Sequence, residues 1–260
     1  MSDLLPKGAL PASYHLYEQG EWKQIDAAIV AEAMLCIHVN GQELAAMMAT
    51  PVDQEALALG FLWLEGFIDS MDEVEMVQVV GAGNCVDVWL RHEIKRPERE
   101  IKTSGCGGGV TFDDLTAARP PVAAETRVSP QQIIARYTDL RAIESIYQHT
   151  RGVHGSALCT PDAVLLAAED VGRHNTLDKL AGKALQAGIS TAGCLIVTTG
   201  RVSSEMLGKA ARMGVPVVAS RTSPTSRSLA LAQAWNITLI GYVRTGGMRV
   251  YSHPRRLLPA

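Results

Sequence analysis

The chain has 260 residues, of which 47% are apolar and 20% charged, and its formal net charge is −3. Enough apolar side chains are present to form a core, which excludes a largely disordered chain. The slightly acidic balance argues against nucleic-acid binding, and no apolar run reaches the roughly 20 residues that insert into and span a membrane. The first residues, MSDLLPKGALPAS, lack a signal-peptide pattern, so we expect a cytoplasmic protein.

Residues 1–100 predict a small N-terminal α/β unit. Residues 1–22 carry no clear periodicity and predict an irregular lead-in. Asn40 and Gly41 separate two apolar runs, which is typical of a β-hairpin. The unit is completed by an amphipathic helix and two strands, at 53–68, 74–80 and 85–90.

The segment TSGCGGG (103–109) places Cys106 among four glycines. Ordered glycine costs conformational entropy, so this density predicts a loop that moves or closely approaches another group. A reactive thiol also needs exposure and a positive neighbourhood, and Lys102 lies nearby in the chain. The alternative is a tight turn with an incidental cysteine. The cysteine loop and a linker occupy residues 101–128.

The other four cysteines predict isolated thiols in a reducing compartment. No C-x-x-C and no clustered Cys/His pattern occurs, which argues against a disulfide framework and against bound metal. Cys36, Cys159 and Cys194 lie in apolar runs and are interpreted as small buried side chains. Cys85 follows a turn, and its environment is ambiguous.

Residues 129–260 predict the main domain, in which strands and helices alternate. Ser129 and Pro130 begin a helix whose apolar face extends from Ile133 to Tyr147. The later elements are at 155–158, 164–168, 175–187, 194–199, 203–213, 215–219, 225–235, 237–243 and 248–252. Their alternation and short connections predict a layered mixed sheet with parallel members, flanked by helices.

Three strand-to-helix junctions of this domain share a chemistry: EDVGRHN, TTGRVSS and SRTSPTS. Their candidate ligand-binding residues are Arg173, Thr199, Arg201, Ser203, Ser220 and Arg221. Parallel strands bring such loops to one edge of a sheet, where helix N-termini and arginines favour phosphate. Helix capping alone explains any single loop. Three such loops together favour a phosphate-rich ligand, although P-loop and dinucleotide-binding patterns are absent.

Two further stretches contribute to this candidate site. The first is YVRTGG, which consists of Tyr242, Val243, Arg244, Thr245, Gly246 and Gly247. It predicts either a hairpin turn or an aromatic ring that stacks on a base beside an arginine, and both interpretations stay open. The second is His154, whose glycine neighbours indicate a close backbone approach. A lone histidine is commonly structural, but as a base His154 could help to ionise a thiol.

The motifs GVHGSAL, EDVGRHNTLDKLAGKAL, TTGRVSSEM, SRTSPTS and YVRTGGMRVYSHPRR together resemble the formate dehydrogenase accessory sulfurtransferase family. The resemblance implies a main domain like that of cytidine deaminases, without their zinc. It also implies that Cys106 takes persulfide sulfur from a cysteine desulfurase. That sulfur would pass to the molybdenum bis-guanine-dinucleotide cofactor before insertion into formate dehydrogenase. Residues 242–247 correspond to the family's cofactor-binding stretch.

One position departs from the family pattern. Many relatives have a second cysteine, as C-x-x-C, where this chain has Gly109, so a carrier with one thiol is expected. The alternative function is a chaperone that binds and delivers the cofactor without sulfur chemistry. A nucleotide hydrolase on a deaminase-like scaffold is a third interpretation. The two similar halves of the cofactor make a homodimer an expectation.

Overall fold

A computed structural model of the protein describes residues 5–95, 101–102, 110–112 and 119–259. The predicted mixed α/β fold with helices on its sheets is confirmed. Within the described residues the strands form a six-stranded sheet, a four-stranded sheet and two two-stranded ribbons. No helix among them is long and apolar enough to cross a membrane.

The helices and strands follow one another in this order. The N-terminal elements are β1 (Ala9–Glu18), β2 (Glu21–Val30), β3 (Ala33–Val39), β4 (Gln42–Ala49), α1 (Gln54–Glu65), β5 (Val74–Val80) and β6 (Cys85–Leu90). The elements of the linking segment are β7 (Ile101–Lys102) and β8 (Val110–Thr111). The main-domain elements are α2 (Pro130–Ile143), α3 (Ser145–Thr150), β9 (His154–Cys159), β10 (Val164–Asp170), α4 (Arg173–Ala187), β11 (Leu195–Thr198), α5 (Ser204–Arg212), β12 (Val217–Ser220), α6 (Ser226–Ala234), β13 (Thr238–Arg244) and β14 (Gly247–Val250).

The expectation of an irregular lead-in over residues 1–22 is wrong. β1 and β2 form a long antiparallel hairpin there. Most side chains of this hairpin are exposed, so burial does not impose on it the alternation by which a strand is recognised. The hairpin predicted at Asn40 and Gly41 is confirmed. Their φ values of 50° and 79° are those that a tight two-residue hairpin turn needs.

The main sheet has the order β10-β9-β11-β12-β13-β14. β11, β12 and β13 are parallel, while β9 is antiparallel to both of its neighbours, so β10 runs in the direction of β11. Alternate side chains enter two cores: Leu158 and Ile196 pack with α4, whereas Ala157 and Val197 pack with α2. Helices therefore cover both faces of this sheet.

The predicted helix start at Ser129 is confirmed. Its side chain accepts a hydrogen bond from the backbone N–H of Gln132, and the Gln132 side chain bonds back to the Ser129 N–H. The expectation that Tyr147 lies on the same helix is wrong. Glu144 has an extended backbone (φ −65°, ψ 104°), which ends α2 and begins the short helix α3.

Helix α1 packs closely against α4, and glycine permits the approach. A Cβ atom at Gly60 would lie 1.8 Å from the carbonyl oxygen of Asp178, and one at Gly182 would lie 1.8 Å from that of Ala56. This contact joins the four-stranded sheet and α1 to the main sheet. The predicted division at residues 100 and 128 stays a prediction.

The expectation of isolated thiols is wrong for one pair. Cys36 and Cys85 lie side by side on the parallel strands β3 and β6 and form a disulfide, with their Cα atoms 4.5 Å apart. Cys159 and Cys194 are buried, as predicted. Burial raises the pKa of the Cys159 thiol to about 12, so this thiol stays protonated and unreactive.

Candidate functional site at the edge of the main sheet

The carboxyl ends of β10, β11, β12 and β13 lie at one edge of the main sheet, because these four strands run in the same direction. The three arginine-containing junctions follow β10, β11 and β12, and the turn of the YVRTGG stretch follows β13. His154 is the first residue of β9, which begins at this edge. The predicted convergence of these loops is therefore confirmed.

An open cavity of about 570 Å³ lies at this edge. Six of the predicted site residues line it: His154, Thr199, Arg221, Val243, Arg244 and Thr245. The rest of its wall comes from α2, α3 and the segment after them, through Ile134, Tyr137, Thr138, Arg141, Tyr147, Arg151 and Val153. Four arginines thus surround one cavity, which suits a ligand with several negative charges.

Arg221 and Arg244 form one side of the cavity. Nη1 of Arg244 donates hydrogen bonds to the carbonyl oxygens of Arg221 (2.6 Å) and Val243 (2.9 Å), which fixes its guanidinium between two loops. Nη1 of Arg221 is buried and has no hydrogen-bond partner among the described residues. A buried donor without a partner is costly, and Arg221 also lines the cavity, where its positive charge favours an anion.

Arg141 and Arg151 also line the cavity, and both contact the ring of Tyr147. Their guanidinium carbons lie 3.9 Å and 4.9 Å from the centre of the Tyr147 ring. Through these cation–π contacts, the ring of Tyr147 holds the two guanidinium groups close together. Arg141 also pairs with Glu144. The two arginines are therefore positioned before any ligand arrives.

Glu144 is a buried carboxyl behind this wall, with an exposed fraction of 1%. Burial raises its pKa to about 7, although the charge of Arg141 acts in the opposite direction. Gly155 leaves room for it, since a Cβ atom there would lie 1.9 Å from Oε1 of Glu144. The charge on this wall of the cavity consequently changes near neutral pH.

His154 meets the β11–α5 loop through Thr199. Its Nδ1 lies 3.4 Å from Oγ1 of Thr199, and that oxygen also accepts a hydrogen bond from the backbone N–H of Gly155 at 3.0 Å. Burial, together with the charge of Arg173, lowers the pKa of His154 and favours the neutral imidazole. A neutral imidazole can accept a proton or a hydrogen bond in this position.

Three other predicted residues lie beneath the loops. Ser220 is fully buried, and its hydroxyl donates to the carbonyl oxygen of Gly200 (2.6 Å) and accepts from the N–H of Thr222 (3.0 Å). Ser203 is the N-cap of α5 and lies 3.1 Å from Nε2 of His174. Arg173 is buried at the start of α4. These side chains hold the loops in position.

Burial lowers the pKa of His174 to about 3, with a further contribution from the charge of Arg173. This histidine is consequently neutral and structural at physiological pH. Arg201, by contrast, is exposed at the rim of the same edge, where a ligand or partner can reach it.

The remaining predicted residues line a second, neighbouring cavity of about 420 Å³. It is formed by Tyr242, Arg244, Gly246, Gly247, Met248 and Arg249. Tyr242 has a positive φ of 55°, and the guanidinium of Arg249 lies 4.2 Å from its ring centre. Arg244 lines both cavities. A ligand with two charged parts could therefore contact both at once.

The predicted thiol, Cys106, lies outside the described residues, in the segment between β7 and β8. β8, which follows that segment, and the residue after it are anchored on α1. Oε2 of Glu65 accepts hydrogen bonds from Oγ1 of Thr111 (2.9 Å) and from the N–H of Phe112 (2.7 Å). The ring of Phe112 packs against those of Phe61 and Phe67. Burial raises the pKa of Glu65, and the charge of Lys209 opposes this.

Sequence reasoning missed the wall that α2 and α3 contribute. Ile134, Tyr137, Thr138 and Arg141 recur at helical spacing, which places them on one face of α2. The presence of an arginine and a threonine on a face that also carries apolar residues was the available signal. The sequence pattern predicts Tyr147 on the same apolar face, because the break at Glu144 has no glycine or proline to mark it.

The FdhD/NarQ family model matches residues 30–258 of the chain. A "Sulfur carrier protein FdhD" from Bacillus subtilis (strain 168) is 38% identical over 248 residues, which cover 93% of this chain and 94% of that one. One of the same name from Staphylococcus aureus (strain MRSA252) is 36% identical over 249 residues, with the same coverage. A crystal structure of a protein described as a formate dehydrogenase accessory protein, from Desulfotalea psychrophila, superimposes with a TM-score of 0.78. It is 27% identical, and the match covers 96% of this chain and 99% of that one.

Proposed function

The chain belongs to the FdhD/NarQ family, and on that premise we propose that it is a sulfur carrier for the maturation of formate dehydrogenase. Cys106 accepts sulfur from the persulfide of a cysteine desulfurase and passes it to the molybdenum bis-guanine-dinucleotide cofactor. This function rests on the family and on the arginine-lined cavity, and the cofactor is cargo that the protein binds and releases.

Both sulfur steps proceed through one thiol. In loading, the Cys106 thiolate attacks the terminal sulfur of the donor persulfide, the sulfur–sulfur bond of the donor breaks, and the donor leaves as a thiolate. In delivery, the acceptor gives an electron pair to the terminal sulfur, the bond from that sulfur to Cys106 breaks, and the Cys106 thiolate is restored. No second cysteine is needed, which is compatible with Gly109 in the loop.

The observation that carries the proposal is the cavity that Arg221 lines together with three further arginines. A guanine-dinucleotide cofactor carries phosphates that these arginines would bind. The second cavity shares Arg244 with the first. Two adjoining cavities suit a ligand that has two nucleotide halves.

The alternative function is a chaperone that binds the same cofactor without carrying sulfur. Gly109 favours the chaperone, because this chain lacks the second loop cysteine that many relatives have for sulfur chemistry. Both functions use the cavity, and only the carrier uses Cys106. We place either function in the cytoplasm, in a homodimer that meets the desulfurase and the formate dehydrogenase apoenzyme in turn.

Complementation separates the two functions. A strain that lacks its own carrier would express wild-type protein, Cys106→Ala, Arg221→Ala or the matched control Cys194→Ala, and formate dehydrogenase activity would be measured. The carrier predicts that Cys106→Ala loses activity but still binds GDP as a probe, whereas Arg221→Ala loses activity and binds GDP more weakly. Full activity of Cys106→Ala, with loss only in Arg221→Ala, would establish the chaperone instead.

A further inference from the structure

The outer face of the four-stranded sheet carries a compact group of polar and sulfur-containing side chains. Cys36 and His38 are alternate residues of β3, and Cys85 and Asp87 are alternate residues of β6. The parallel register pairs Cys36 with Cys85 and His38 with Asp87. The intervening residues point into the core beneath α1. The four side chains therefore form a two-by-two patch on the face opposite to α1.

Three of these side chains bring their donor atoms together. The two sulfur atoms and one ring nitrogen of His38 all lie within 4.8 Å of one another. Cys36 and Cys85 form the disulfide described above. The side chain of His38 is 32% exposed and that of Asp87 is 29% exposed, so small solutes can reach the group.

Two thiolates and an imidazole are donors that a tetrahedral Zn²⁺ site prefers. With zinc–sulfur bonds of about 2.3 Å, the sulfurs of such a site lie about 3.8 Å apart, which the spacing of these atoms permits once the disulfide is reduced. A carboxylate also lies near each ring nitrogen of His38. Asp87 lies 3.1 Å from Nδ1 and Glu43 lies 3.8 Å from Nε2. Whichever nitrogen binds a metal, a carboxylate faces the other.

We propose that Cys36, His38 and Cys85 bind a thiophilic divalent cation such as Zn²⁺ when the disulfide between the two cysteines is reduced. A dithiol reductant supplies two electrons and two protons to the disulfide and itself becomes a disulfide. The cation then displaces the two thiol protons and takes three protein ligands, and water fills the fourth position. Disulfide and bound cation exclude each other, so the redox state controls occupancy. The site uses neither Cys106 nor the arginine-lined cavity, and it stands independently of the proposed function.

Cobalt titration of the full chain tests this site. The protein would be reduced with a phosphine, the reductant removed, and Co²⁺ added while visible d–d bands and the near-ultraviolet thiolate-to-cobalt band are recorded. Competition by Zn²⁺ against a chromophoric chelator would give the zinc affinity. We expect one equivalent of Co²⁺ with thiolate charge transfer, which one equivalent of Zn²⁺ abolishes.

The variants Cys36→Ser and Cys85→Ser should lose this band and bind Zn²⁺ at least about a hundredfold more weakly. Asp87→Asn should weaken binding by about tenfold to a hundredfold, as outer-sphere partners do. The matched control Cys194→Ala should bind as wild type does. Oxidised wild-type protein keeps every side chain and the fold, and it should bind no cobalt. A reduced wild type without a thiolate band, or equal binding by the oxidised protein or by either serine variant, would overturn the proposal.

Discussion

In the proposed function, Arg221 is the side chain from which we expect the largest contribution to recognition of the anionic cofactor. Its guanidinium combines permanent charge with a buried donor that has no partner among the described residues. The neighbouring Arg244 already donates hydrogen bonds to two carbonyl oxygens. Arg141 already forms an ion pair with Glu144. Among these three, Arg221 therefore stands to gain the most from a bound phosphate.

Arg221→Ala should weaken binding of GDP by about tenfold to a hundredfold. This follows because a hydrogen bond to a charged group is worth about 1.5–3 kcal/mol and each tenfold in affinity is about 1.4 kcal/mol. Isothermal titration calorimetry measures the change. Arg212→Ala is the matched control: Arg212 pairs with Asp69, away from the cavity, and its loss should leave affinity unchanged. Equal affinity in Arg221→Ala and wild type would contradict the role given to this residue.

Glu144 should make stability depend on pH. Its folded-state pKa of about 7 exceeds the ordinary value of 4.5, so the folded protein binds this proton more tightly than the unfolded chain does. The stabilisation that this proton gives is complete below pH 4.5 and is lost as pH rises through about 7. The free energy of unfolding falls by roughly 3 kcal/mol in total. Urea unfolding of wild type and Glu144→Gln across this range measures it.

Glu144→Gln should remove most of this dependence of the free energy of unfolding on pH. The control is Glu75→Gln, a change at an exposed carboxyl, which should keep the wild-type slope of unfolding free energy against pH. If the slope of Glu144→Gln matches that of wild type, another group is responsible.

Helix α1 depends on two glycines for its contact with α4. The Cβ atom of an alanine at position 60 would lie 1.8 Å from the backbone oxygen of Asp178, and backbone cannot turn away as a side chain can. We therefore expect Gly60→Ala to cost about 1–3 kcal/mol or more in the free energy of unfolding. Gly246→Ala enters open space and should stay within about 0.5 kcal/mol of wild type. Equal denaturation midpoints for the two variants would contradict this packing.

Most elements of the main domain could be predicted from the sequence, because their strands alternate with helices and are bounded by marked caps such as Ser129 and Pro130. Local sequence patterns do not predict the parts of the structure that depend on tertiary contacts. The strands of the β1–β2 hairpin expose most side chains on both faces and so show no burial pattern. Cys36 and Cys85 are separated by 49 residues, and only the pairing of β3 with β6 brings them together.

At the scale of the whole molecule, the β1–β2 hairpin carries an apolar face that lies open in the single chain. The residues on this face include Leu10, Ala12, Tyr14, Leu16, Ile25, Ala27 and Ile29. Several are half exposed or more, among them Tyr14 (50%) and Ile29 (56%). In the homodimer proposed above, a second copy of the chain would cover this face.

Tyr14→Glu and Ile29→Glu should convert a dimer into a monomer without unfolding the chain, since both side chains are exposed in one copy. His15→Glu is the matched control, because His15 lies on the opposite face of the hairpin. Light scattering coupled to gel filtration reports the mass. Dimers in every variant would exclude this face as the contact, and a monomeric wild type would exclude the homodimer itself.

In the proposed function, one thiol, Cys106, takes up sulfur and passes it on. The most direct test follows radiolabelled sulfur from cysteine, through a desulfurase, onto the protein and then into the molybdenum bis-guanine-dinucleotide cofactor. We expect a reducible label on wild type and on Cys194→Ala that moves into the cofactor in a single turnover, and no label on Cys106→Ala. Label that reaches the cofactor equally well with Cys106→Ala would contradict it.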